Sequence, residues 1–330
     1  MSRTWQPGQA PWLGRDEVPA RARVIVDNDF SGDPDDLVQL AHHLLSPSVD
    51  VRAVIGSHLA PGDALDDSAV TAANACARVR ELFAVMGLDA EDRIVQGSNT
   101  AMGDAVTPRD TPAARAIIEE AMRDDPRPLY VACGGGLTSI VCAVLLEPAI
   151  VDRLTVVWIG GPEYPGTAPP PPGVSGPEYN LNIDVPAAQA VFNDSTLPVW
   201  QVPRDAYRQC LMSEAELWTR VRPAGPLGRY LYDAIDRVRS LVTRPGRGWA
   251  EAYCLGDSPL VLLTALQTFF DPDAASSRWR TVPCPRFDDD GALVPRPEGR
   301  TIRVVDRVDT RMMFEDMIAK LAAFAAWQAD

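Results

Sequence analysis

The chain has 330 residues, 46% of them hydrophobic, enough to bury the core of one large α/β domain. Its 45 acidic against 31 basic residues give a formal charge of −14, which argues against a basic nucleic-acid-binding face. A single lysine, Lys320, removes Schiff-base and P-loop mechanisms elsewhere, and six scattered cysteines without a CxxC pair point to free thiols and not to a zinc site.

Residues 1–20, punctuated by proline and charge, read as a lead-in to one α/β domain over 21–330. No apolar run has signal-peptide or membrane-spanning character, so a soluble cytoplasmic protein without a membrane partner is expected. Short apolar runs then alternate with helical patterns. The runs are Val24–Val26, Val51–Ile55, Ile94–Gln96, Leu129–Ala132, Thr155–Ile159 and Pro198–Val202. This spacing predicts βα units, hence a mainly parallel, Rossmann-like open sheet with helices on both faces.

Leu37, Leu40, Ala41, Leu44 and Leu45 predict a helix after the first strand, ended by Pro47. His42 and His43 on it read as structural. Residues 258–268 predict a buried helix with Pro259 in its first turn. A last helix over about 311–327 carries Met312, Phe314, Met317, Leu321 and Phe324 on one face. The stretch 162–177, rich in proline and glycine, is either a surface loop or a functional lid. Asp288-Asp289-Asp290 reads as a solvated turn between late strands.

The segment from Asp27 to Asp36 carries the chemistry. Five aspartates, Asp27, Asp29, Asp33, Asp35 and Asp36, fall within ten residues at the end of a buried strand, where open α/β sheets bind ligands. Helix capping accounts for one such residue. Five repel one another unless a hard divalent cation accepts their oxygens. An EF-hand is excluded, because Val38 stands where its bidentate Glu is required and the segment follows a strand. A phosphohydrolase of the haloacid dehalogenase type, which begins with an Asp-x-Asp pair, remains an alternative.

The segment also resembles the Asp-x-Asp-x-Gly-x-Asp-Asp motif of the nucleoside hydrolase family, of the inosine-uridine preferring type, with two extra residues before Asp35-Asp36. Three further stretches resemble that family in order. They are Gly134-Gly135-Gly136-Leu137-Thr138, then Glu178-Tyr179-Asn180 after the double glycine Gly160-Gly161, then Leu255-Gly256-Asp257-Ser258-Pro259. The resemblance implies a calcium enzyme that cleaves the N-glycosidic bond of a ribonucleoside or related ribosyl compound, in purine or pyrimidine salvage, as a homodimer or homotetramer. It implies that Asp29, Asp36, Asp257 and a carbonyl, of Gly134 or of Cys133, bind calcium. Asp29 is then also the general base, while Asp35, Glu178, Asn180 and Asp257 bind the sugar.

Three positions depart from the family. Gly256 replaces a proton-donating His, and the Asn expected after the second strand is missing from Ile55–Ala60. The Asn expected before the Glu178 block also has no counterpart. His58 is a candidate acid or leaving-group contact, or a packing residue. Arg247, Trp249 and Tyr253 are candidates for the base pocket, or core. The missing donor also leaves open a non-catalytic ribose-binding relative.

Overall fold

Val24-Ile25-Val26 offers no polar face to water, so its strand must be covered on both sides. The computed structural model, which describes residues 3–242, 250–268 and 276–330, places it at the centre of an eight-stranded sheet. The strands are β1 (Ala22–Asn28), β2 (Val49–Gly56), β3 (Ile94–Gln96), β4 (Leu129–Cys133), β5 (Thr155–Ile159), β6 (Val199–Val202), β7 (Arg278–Pro283) and β8 (Thr301–Arg307). Their order is β3-β2-β1-β4-β5-β6-β8-β7, and only the β7–β8 pair is antiparallel. The mainly parallel architecture expected from the runs is observed.

Every residue of β1 is buried. Val24 and Val26 pack with one core, together with Leu37 and Leu40 of helix α1 (Asp35–Leu44) and Leu82 of α2 (Thr71–Met86). Ile25 faces the other core, with Ile117 of α3 (Pro112–Ala121) and Ile140 of α4 (Thr138–Leu146). The chain leaves β1 toward β2 on one side and β4 lies on the other, so the direction of winding reverses between β1 and β4. That reversal opens a crevice at the carboxyl ends of the strands.

Two expectations change in detail. The lead-in, read as preceding the domain, packs into its core: Trp5 and Trp12 are buried edge-to-face against each other and against Phe324. The Trp5 indole N–H donates to the Met86 carbonyl at 2.9 Å. The last helix runs over Thr310–Ala329, and it buries Met313 fully while Met312 and Phe314 are only half-buried. Asp288–Asp290 lie exposed at the turn of a small hairpin formed by Arg286–Phe287 and Leu293–Val294.

Candidate active site

The acidic segment turns sharply as it leaves β1. The Gly32 amide donates to the Asp29 carbonyl at 2.7 Å, and the Asp35 amide donates to Asp33 Oδ1 at 3.3 Å. A Cβ on Gly32 would press on Leu59 at 2.8 Å, so the turn closes best on glycine. These bends deliver Asp35 and Asp36 to the first turn of α1, where the helix dipole favours negative charge.

Three remote segments meet this turn. Gly134 follows β4, and its amide donates to the Asp27 carbonyl at 3.1 Å. Asp257 precedes the helix Pro259–Thr264, and its amide donates to Asp35 Oδ2 at 3.1 Å. Asp257 Oδ2 in turn accepts from the Asn28 side-chain amide at 2.5 Å. A Cβ on Gly134 would collide with both Asp257 and Asn28, and one on Gly135 would lie 3.0 Å from Asp29 Oδ1. Asn180 donates to the carbonyls of Gly134 at 2.6 Å and Ile159 at 2.9 Å.

Together they wall a cavity of about 380 Å³, a volume suited to a small molecule. Asp29, Asp35, Asp36, Gly134, Glu178, Asn180 and Asp257 all line it; Cys133 does not. Glu178 is buried and caps the following turn. Its Oε2 accepts from the amides of Gly161 at 2.8 Å and Leu181 at 3.1 Å, and its Oε1 accepts from the Tyr207 hydroxyl at 2.8 Å.

Electrostatically the cavity is under load. Burial, then the charge of Asp257, pushes Asp29 well above the usual carboxylate range. Burial, then Asp29 and Asp257, does the same to Asp36. Burial pushes Asp257 up to about 7, opposed by the Asn28 hydrogen bond. Asp36 is 3% exposed, and its Oδ2 has no donor facing it. Among the described residues no three His, Cys, Asp or Glu side chains stand as a closed set of metal ligands. Instead Asn28 holds Asp257 and Asn180 holds the Gly134 carbonyl. The donors that line the cavity are nevertheless hard oxygens, one of them orphaned and several mutually repelling, and that chemistry fits a hard divalent cation.

Other candidates fall elsewhere. His58 is buried outside the cavity. Its Nε2 lies 3.1 Å from Thr138 Oγ1 and its Nδ1 lies 3.0 Å from the Leu59 carbonyl, so its ring is spent on joining β2 to α4. The structure thus does not bring it to the carboxylates. Tyr253 is not in the wall, but its hydroxyl donates to Asp33 Oδ1 at 2.6 Å. Arg247 and Trp249 lie outside the described residues. None of residues 162–177 lines the cavity. His42 and His43 are buried in α1, against Asp316 and Thr264. Four acidic or aromatic lining residues are given no role by the sequence reading: Asp33, Asp63, Tyr179 and Tyr207. Asp33 and Tyr179 stand inside motifs that the sequence does single out; Asp63 and Tyr207 carry no local signal.

The profile of the inosine-uridine preferring nucleoside hydrolases matches residues 24–315. The chain belongs to that family. An inosine-uridine preferring nucleoside hydrolase of Leishmania major is 40% identical over 114 residues, 34% of either chain. One of Crithidia fasciculata is 42% identical over 91 residues, 27% of this chain and 26% of the relative. The matched stretches thus span about a third or less of these two nucleoside hydrolases. Among solved structures, a plant nucleoside hydrolase superposes with a TM-score of 0.71 at 19% identity, covering 92% of this chain and 99% of the other. A purine-preferring ribonucleoside hydrolase from Gardnerella vaginalis gives 0.69 at 18%, with the same coverage. At these identities the likeness establishes the nucleoside hydrolase fold.

Proposed function

We propose that this member of the family hydrolyses the N-glycosidic bond of a ribonucleoside or related N-ribosyl compound, with calcium as its cation. The observation that carries the reading is the meeting of Asp29, Asp35, Asp36, Gly134 and Asp257, from three remote stretches, in one cavity. Asp29, Asp36, Asp257 and the Gly134 carbonyl would hold the ion. When bound, such an ion supplies Lewis-acid activation of water.

The chain's own groups supply the rest. Asp29 accepts a proton from the attacking water, as general base. Asp35 and Glu178 orient the sugar by accepting from its hydroxyls, and Asn180, whose two N–H groups go to the Gly134 and Ile159 carbonyls, offers its Oδ1 as a further acceptor. The surrounding carboxylates stabilise the positive charge that builds on the ribosyl ring in an oxocarbenium-like transition state. Phosphoester hydrolysis is disfavoured, because no Arg, Lys or His is among the described residues lining the cavity.

The test is a panel of purine, pyrimidine and modified nucleosides assayed for free ribose. Release that stops with a chelator and returns with calcium supports the reading. Ribose binding without turnover of any member would make the protein a binding relative instead. Cytoplasmic location and a homodimeric or homotetrameric state belong to the same proposal, the latter checked by sedimentation. Among the described residues no helix is long and apolar enough to cross a membrane.

A further inference from the structure

A neutral heterocycle leaves ribose as an anion unless it is protonated on departure. Among the described residues, the tyrosine O–H groups around this cavity are already committed. Tyr207 donates to Glu178 at 2.8 Å, Tyr253 to Asp33 at 2.6 Å and Tyr179 to Asp63 at 2.6 Å. The Cys254 thiol faces the Tyr207 carbonyl at 3.5 Å. Gly256, also in the wall, has no side chain to offer, and its Cα side is bounded by the Tyr207 ring, 3.3 Å from where a Cβ would lie.

The charge in the wall is one-sided. With a dication at Asp29, Asp36 and Asp257, and with Asp35 and Glu178 given to the sugar, the carboxylates of Asp33 and Asp63 are left over. No positively charged side chain among the described residues of the wall answers them. The rings of Tyr179 and Tyr207 stand in the same wall. Carboxylates beside aromatic rings form a site for an organic cation, by coulombic and cation–π attraction together.

We propose that the preferred substrate is a ribosyl compound whose heterocycle is positively charged while attached, such as an N7-alkylated purine nucleoside or a pyridinium riboside. The inference rests on the hydrolytic reading above. In the reaction the water oxygen bonds to the anomeric carbon as the C–N bond breaks. The bonding pair goes to the ring nitrogen and cancels its charge. The water's proton goes to Asp29. No proton donor to the leaving group is required, and the neutral product loses the attraction that held the substrate, which favours its release.

The experiment compares kcat/KM for 7-methylguanosine, guanosine and nicotinamide riboside, using the full chain in calcium, with Asp63→Asn and Asp33→Asn beside the wild type. Asn keeps an oxygen for the tyrosine hydroxyl and removes the charge. Charged ribosides are intrinsically more labile, so the deciding quantity is the ratio of 7-methylguanosine to guanosine within each protein, which also cancels any loss of folded enzyme. The ratio is expected to fall about tenfold in either variant, with weaker competitive inhibition by the cation 1-methylnicotinamide. An unchanged ratio and unchanged inhibition in both variants would overturn the inference while leaving the hydrolase reading intact. Absence of ribose release from all three substrates would overturn that reading and this one with it.

Discussion

The Asn28 side-chain amide donates to Asp257 Oδ2 at 2.5 Å, across 229 positions of sequence. This bond ties the end of the central strand to the turn before a late helix, and it holds Asp257 against Gly134. Replacing Asn28 by Ala removes the neutral donor that steadies this buried carboxylate. Loss of an outer partner of this kind costs roughly 10- to 100-fold in activity or ion affinity. Steady-state kinetics of Asn28→Ala in saturating and limiting calcium should show that loss, with the far-UV circular dichroism of the wild type retained.

Gly134 allows a close approach that no other residue would. An added methyl would strike Asp257 and the Asn28 amide, and the strand before it cannot yield, because β4 is buried between β1 and β5. The turn must therefore open and carry the Gly134 carbonyl away. Displacement of a reacting constellation by about 1 Å costs on the order of 100-fold in rate. Gly134→Ala is expected to lose at least that in kcat/KM. A variant with wild-type kinetics would show that the glycine serves only the turn.

Much of this is legible without the fold. The unbroken apolar runs around Val24 and Val156 announce doubly covered strands, and the density of aspartates after Val26 announces the site. What local sequence cannot give is the company each residue keeps. His58 stands at the right end of β2, yet its ring is consumed by Thr138 and Leu59. Tyr207 and Asp63 carry no pattern, and they matter only because tertiary contacts aim them at Glu178 and Tyr179. Trp5 and Trp12 look like a lead-in because their partners, Phe324 and Trp327, lie at the other end of the chain.

Two buried histidines make stability depend on pH. Burial lowers His42 to about 4 and His43 to about 3, against about 6.5 when unfolded. Between about pH 6.5 and 4 the unfolded chain therefore binds protons that the folded chain refuses. Stability is present at neutral pH and is lost as pH falls through that window, by about 3 kcal/mol for His42 alone. Asp27, pushed up to about 7 by burial, works in the opposite sense and loses stability as pH rises from about 4 to 7. The readout is accordingly a difference. Urea unfolding of wild type and His42→Gln at pH 7 and pH 5 should show a smaller acid-induced loss in the variant. Equal losses would remove His42 from the explanation.

The most direct test of the whole account is a calorimetric titration of calcium into the metal-free protein and into Asp257→Ala. If carboxylates from opposite ends of the sequence share one ion, the wild type binds one calcium per chain in the cavity, and the variant binds it at least about tenfold more weakly, in line with the loss of a direct ligand. Calcium binding of equal stoichiometry and affinity in the two proteins would contradict the convergence of Asp257 with Asp29 and Asp36 on a common cation.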